Sequence, residues 1–149
     1  LLSSPADYRR TAACLAPLVE AAPDQAILVL GHGTSHPSWT TYPALQQIMR
    51  QQFGNRLFVA TIEHDPQTRS ILDAISEAGF SRILLIPLLL VAGMHFFKDI
   101  IGDDPDSYQQ QAQARGLDLQ VHDQGLGMLP GVAELFAAHI RAATTITPH

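Results

Sequence analysis

The sequence predicts an α/β fold, a four-stranded parallel sheet with helices on both faces, and three observations carry that prediction. Short runs rich in Ile, Leu and Val alternate along the chain with longer stretches of helical apolar period. The longest run, residues 83–91, has the length of a buried strand and is interrupted by Pro87, well short of the ~20 residues that cross a bilayer. Histidines follow directly on two of the runs, at His32 and at His95, and the carboxyl ends of parallel strands are where open sheets keep their ligands.

The elements follow in order. Residues 7–22 carry apolar positions at Ala12, Leu15, Leu18 and Val19, a helical stripe with Pro17 as its expected kink. Residues 26–30 form the first strand, and after a Gly-His loop residues 42–53 read as a helix with Leu45, Ile48 and Met49 inward and Gly54-Asn55 as its stop. Residues 57–62 are the second strand. Asp65-Pro66-Gln67 opens a helix with proline in its first turn, where a missing N–H loses nothing; Ile71, Leu72 and Ile75 face inward and Gly79 ends it. The third strand runs from Arg82 to about Leu90. A polar segment, 98–106, leads to a Gln-rich helix over about 105–115 capped by Gly116, and 117–121 alternates as a fourth strand near a sheet edge. Residues 131–143 form a closing helix with Val132, Leu135, Phe136 and Ile140 expected inward, and 144–149 read as a frayed tail.

At 149 residues the chain is expected to be a single domain, residues 1–149, and its 46% apolar content suffices for one core. A net charge of -5 with scattered Lys and Arg argues against a nucleic-acid partner, and no stretch argues for a membrane. Cys14 stands alone among Ala12, Ala13, Leu15 and Leu18, so it reads as a small core residue, with no partner for a disulfide or a thiolate cluster. The start, Leu1-Leu2-Ser3-Ser4-Pro5, has neither an initiator Met nor the form of a signal peptide. The lack of a targeting signal there carries little weight; a cytoplasmic location is the expectation, with a periplasmic one left open because the sequence does not show the native start.

Strict alternation of strand and helix puts all strand carboxyl ends on one rim. That rim collects His32 and His36, then Glu63 and His64, then His95, then His122. A lone histidine after a strand is more often a cap or a packed loop residue than a ligand, but coincidence at three neighbouring strand ends argues for a shared site. His32 and His36 are separated by Gly33 and followed by Pro37, so they lie in a loop and form no helix-borne zinc motif; His36 is as well explained as a brace of that loop. A set of His, His and Glu from distant loops suits Co²⁺, Fe²⁺, Ni²⁺ or Zn²⁺ and leaves positions open for exchange. Gly31-x-Gly33-x-x-His36 matches only two of the three glycines of a dinucleotide fingerprint, and no Gly-x-Ser-x-Gly elbow occurs.

Three blocks then resemble a known family: Gly31-His32-Gly33-Thr34-x-His36, Thr61-Ile62-Glu63 before Pro66, and the long stretch from Pro87-Leu88-Leu89-Leu90-Val91-Ala92-Gly93-x-His95 through Asp99, Gly102, Asp103, Asp104 and Asp106-Ser107. They resemble the anaerobic cobalt chelatases of the class II chelatase superfamily, of the CbiK type, over most of the chain. The resemblance implies a chelatase-like fold with flavodoxin-like winding, and insertion of Co²⁺, or of iron or nickel, into sirohydrochlorin in cobalamin biosynthesis. It implies His32, Glu63 and His95 as the catalytic and metal-handling set and no organic cofactor. It also implies one half of a two-domain architecture, the C-terminal half, with residues 1–22 as a linking helix. The expected partners are a sirohydrochlorin-type tetrapyrrole and either the missing N-terminal half or a second copy, which would make a homo-oligomer.

The sequence departs from that family at Met94, Phe96, Phe97 and Lys98 around His95, at His64 after Glu63, and at Gly125-Leu126-Gly127-Met128. These changes make one wall of the site more apolar and bulkier, with one of Phe96 and Phe97 expected in the core. Two alternatives follow: a non-catalytic metal- or tetrapyrrole-binding protein of the same fold, and a short homodimeric chelatase in which two copies supply both walls.

Overall fold

The computed structural model describes residues 2, 4–63, 68–91, 93–94 and 96–144. Helix α1 (Pro5–Glu20) is opened by Ser4, whose hydroxyl accepts from the Asp7 N–H, and Pro17 stays within it. Strand β1 (Ala26–Gly31) is buried at every position, and α2 (Thr41–Phe53) returns the chain to β2 (Leu57–Thr61). Helix α3 (Thr68–Glu77) leads to β3 (Arg82–Pro87), α4 (Tyr108–Ala114) to β4 (Asp118–Val121), and α5 (Val132–Thr144) closes the described chain.

All strand pairs are parallel and the order is β2-β1-β3-β4, so β1 is central, the winding is flavodoxin-like, and the expected fourth strand does sit at an edge. Alternate residues of β1, β2 and β3 feed two cores, while the edge strand β4 contributes Leu119 and Val121 to one of them and leaves Asp118 and Gln120 exposed. Leu28, Leu30, Phe58, Ala60, Ile83 and Leu85 pack under α3 and α4 with Leu72, Ile75, Tyr108 and Ala112. Ile27, Val29, Leu57, Val59 and Ile86 pack under α1, α2 and α5 with Leu15, Val19, Leu45, Met49 and Val132. Each face of the sheet thus buries the period-two half of strands β1, β2 and β3.

At the amino ends of the strands Arg56 ties the layers together. Its guanidinium donates to the carbonyls of Val19 (2.9 Å), Ala22 (2.7 Å) and Gln25 (3.1 Å), so a cation adds to the backbone hydrogen bonds at the end of α1. On the surface Arg115 pairs with Asp73 at 2.7 Å across α3 and α4. At α5, His139 Nε2 lies 3.0 Å from the buried carboxylate of Asp7 on α1.

The structure corrects the sequence reading in three places. Strand β3 ends at Pro87, short of Leu90; Leu88 still donates to the Leu30 carbonyl, but Leu90 and Val91 are 52% and 73% exposed. Phe136 and Ile140 of α5 point out, at 39% and 65% exposure, because α5 is apolar around most of its circumference and only Val132 and Leu135 reach the core. The segment 98–106 is not polar throughout: Ile100 within it is buried, and residues 96–100 make a π-helical turn in which Ile101 N–H reaches the Phe96 carbonyl. The expected start of α3 at Asp65-Pro66-Gln67 and the tail over 145–149 lie outside the described residues.

Candidate metal-handling site

Beyond the last residues of β1 and β2 the parallel ladder continues by two more hydrogen bonds. Ile62 N–H donates to the Gly31 carbonyl and Glu63 N–H to the His32 carbonyl, both at 2.9 Å. His32 and Glu63 are thereby brought together at adjacent strand ends, both exposed on the carboxyl rim. Their closeness depends on Gly33. Its φ is +95°, and a Cβ there would lie 1.9 Å from the Glu63 carbonyl oxygen, so glycine is needed both for the backbone conformation and for the approach.

The structure joins the backbones of two of the three expected ligands, whereas His95, and the candidate His64 next to Glu63, lie outside the described residues. Among the described residues no three His, Cys, Asp or Glu side chains form a group that could hold a metal ion. The segment that leads to His95 does start beside His32, since Leu88 N–H donates to the Leu30 carbonyl at 2.7 Å. His32 Nδ1 lies 3.4 Å from the Gly33 carbonyl, a contact too long to fix the ring strongly.

His36 and His122 have other places. His36 Nδ1 accepts from the Ser38 N–H at 3.2 Å and caps the short 3₁₀ turn over Pro37–Thr40, the loop-bracing role that the sequence already allowed. His122 follows β4, where its N–H donates to the Leu85 carbonyl; its Nε2 is buried with no hydrogen-bond partner among the described residues.

Three braces that the sequence reading missed hold the rim. Tyr42 on α2 lays its ring over Gly31, where a Cβ would come 2.2 Å from the ring edge, and its hydroxyl accepts from the Gly33 N–H at 3.1 Å. Tyr108, only 1% exposed at the start of α4, donates to the Thr61 carbonyl at 3.1 Å. The loop after β4 clamps the extension of β3: Leu126 and Gly127 donate to the carbonyls of Leu89 and Leu90 at 2.7 and 3.1 Å. A Cβ on Gly125 would meet the Leu90 carbonyl oxygen at 2.6 Å, which explains the glycine at that departure from the family pattern.

Along this rim Leu90, Val91, Met94, Phe97 and Met128 are exposed, Met94 and Met128 by 81% and 71%. Phe96 by contrast is 3% exposed in the core, its ring edge-on to Phe97 at 5.3 Å, so one of the two phenylalanines packs inward as expected. Large exposed apolar side chains gathered beside polar, metal-capable ones make a surface suited to a flat apolar ligand or a partner. The loop over 96–107 adds Asp99, Asp103, Asp104 and Asp106 against the single cation of Lys98, a field that favours cations. Its end is fixed by Ser107, whose hydroxyl donates to the Gly102 carbonyl and accepts from the Gln110 N–H.

Away from the rim, a cavity of about 390 Å³ between α1 and α5 is lined by Arg10, Cys14, Glu134 and Leu135 among others. Burial pushes the Cys14 thiol above its usual value, which disfavours the thiolate that ligation or nucleophilic attack requires.

Comparison with known proteins places this rim in context. The cobalt chelatase (CbiK) family profile matches residues 1–145. A sirohydrochlorin cobaltochelatase of Salmonella typhimurium is 33% identical over 118 residues, covering 78% of this chain and 44% of that protein. The sirohydrochlorin cobaltochelatase CbiKC of Nitratidesulfovibrio vulgaris is 31% identical over 147 residues, covering 97% of this chain and 52% of that protein. The chain therefore spans about half the length of the curated relatives it matches. A solved CbiX protein from Marinobacter aquaeolei VT8 shares the fold with a TM-score of 0.65 at 20% identity, over 80% of this chain and 94% of that one.

Proposed function

The chain belongs to the cobalt chelatase (CbiK) family, and from that premise we propose that it forms one wall of a site that inserts a divalent metal, cobalt before iron or nickel, into a sirohydrochlorin-type tetrapyrrole. His32, Glu63 and His95 are the proposed ligands and bases. Metallating a tetrapyrrole removes two pyrrole N–H protons while a hydrated cation sheds water, so the site needs ligands that are also bases near neutral pH. Imidazole, with an ordinary pKa of ~6.5, meets both needs. Glu63 supplies negative charge that offsets the cation. The reaction needs no organic cofactor; the metal is a substrate.

The observation that carries this reading is the junction of His32 and Glu63 at adjacent strand ends, beside an exposed apolar rim. The rim fits one face of a macrocycle. Because the relatives are about twice as long, the proposed functional unit includes a second wall, either the other half of such a protein or a second copy of this chain. On this reading the whole of 1–149 is the C-terminal half, with 1–22 as its link. A cytoplasmic setting is part of the proposal; among the described residues no helix is long and apolar enough to cross a membrane.

The test follows the absorption change of sirohydrochlorin on adding Co²⁺ to the chain with its second wall supplied, corrected for spontaneous metallation. The proposal expects accelerated insertion that His32→Ala and Glu63→Gln reduce by about 10²–10⁴-fold and a few-fold or more, respectively. Binding of sirohydrochlorin and Co²⁺ without acceleration, with either form of the second wall supplied, would replace the chelatase with a binding protein of the same fold.

A further inference from the structure

We infer that Tyr42 and Tyr108 are positioning residues, which hold His32 and Glu63 in register from opposite faces of the sheet. The inference rests on the proposal that these two side chains ligate the metal.

The need for such braces comes from where the ligands stand. His32 and Glu63 lie past the last residues of β1 and β2, where two hydrogen bonds join the strand ends among the described residues and both side chains are exposed. Strand ends of this kind open first in local fluctuations. Each is nevertheless tied down by one tyrosine hydroxyl. Tyr42 comes from the face covered by α1, α2 and α5; it accepts from Gly33, the residue after His32, while its ring fills the space over Gly31, the residue before. Tyr108 comes from the face covered by α3 and α4; it donates to Thr61, two residues before Glu63.

The two hydroxyls act on backbone groups that bracket the His32–Glu63 hydrogen bond, one per strand and one per face. Neither bond is part of the sheet ladder, and Tyr108 spends a deeply buried hydroxyl on a strand-end carbonyl 47 residues away in sequence. A buried hydroxyl must find a partner, but tying it to this carbonyl fixes the strand end as well. Groups that orient metal ligands from behind typically change metal affinity roughly 10–100-fold when removed.

The experiment titrates the chain, and its Tyr42→Phe and Tyr108→Phe variants, with Co²⁺ alone against a chromophoric chelator, and records the visible d–d absorption of the bound ion. Phenylalanine keeps each ring in place and removes only the hydroxyl. Tyr8→Phe is the control for hydroxyl removal as such, since Tyr8 belongs to α1 and packs against the core on that side. The expected result is a Co²⁺ affinity about 10–100-fold weaker for both rim variants, with an altered d–d spectrum, melting temperatures within a few degrees of the parent, and an unchanged control. Affinities within about twofold of the parent, in a chain where His32→Ala abolishes binding, would refute the positioning role and leave the ligands standing. If His32→Ala itself binds Co²⁺ like the parent, the ligand assignment falls, and this inference with it. A loss equal to that of Tyr8→Phe would also overturn it, as a general effect of hydroxyl removal.

Discussion

Replacing Gly33 by alanine should part His32 from Glu63, and Gly79 provides a matched reference for the size of the effect. Both glycines have positive φ, +95° and +86°, but a Cβ on Gly33 would lie 1.9 Å from the Glu63 carbonyl oxygen, whereas one on Gly79 meets nothing within 4 Å. Alanine at positive φ costs about 1–2 kcal/mol, partly offset by ~0.4–1 kcal/mol from a stiffer unfolded chain, so Gly79→Ala should lose about 1 kcal/mol. At position 33 the two strand ends must in addition separate by about 1.5 Å to restore van der Waals contact, which opens the bonds that Ile62 and Glu63 make to Gly31 and His32. At about 1 kcal/mol each, those bonds bring the loss for Gly33→Ala to ~3 kcal/mol. For a chain of this size each kcal/mol lowers the melting temperature by about 2–4 °C, so calorimetry should show a fall of ~2–4 °C for Gly79→Ala and ~6–12 °C for Gly33→Ala. Co²⁺ affinity should fall for the second variant alone. Equal melting temperatures for the two variants would refute the reasoning, because it would mean that the close approach at Gly33 carries no weight.

The opposite end of the sheet should behave differently. Arg56→Ala removes three hydrogen bonds from a cation to the end of α1 and the start of β1, and urea denaturation should show a loss of about 2–3 kcal/mol with Co²⁺ affinity unchanged. The Asp73–Arg115 pair gives a pH signature: the hydrogen bond from Arg115 lowers the carboxyl of Asp73 below its ordinary value. A lowered carboxyl stabilises the fold above the unfolded value of about 3.9 and ceases to do so as pH falls through the folded value. The small difference in melting temperature between the parent and Arg115→Ala should therefore be constant from about pH 7 to pH 5 and shrink below pH 4. A difference that grows on acidification would contradict the assignment.

How much of this was legible in the sequence differs from element to element. The strands were, because residues 26–30, 57–62 and 83–87 are continuous apolar runs that a sheet covered on both faces demands. The end of β3 was not: residues 88–91 are as apolar as the strand itself, and only the structure shows Leu90 and Val91 turned out onto the rim. The same ambiguity misplaced Phe136 and Ile140, since a helix apolar on most sides does not announce which face is buried. His32 and Glu63 were legible as residues of neighbouring strand ends because strand ends can be read from pattern, whereas their selection as ligands came from the family resemblance and is a proposal. Their braces were not, because Tyr42 and Tyr108 act at separations of 9 and 47 residues, beyond any local periodicity. Gly125 looked like a departure from a family pattern and proves to be the point at which one backbone crosses another.

The central claim is that His32, Glu63 and His95 converge on one metal ion at this rim, and X-ray absorption on the Co²⁺-loaded chain tests it most directly. The account predicts scattering from two imidazoles with nitrogen and oxygen neighbours at roughly 2.0–2.2 Å, and the loss of one imidazole in each of His32→Ala and His95→Ala. A spectrum with no imidazole contribution, or one that neither substitution alters, would contradict it.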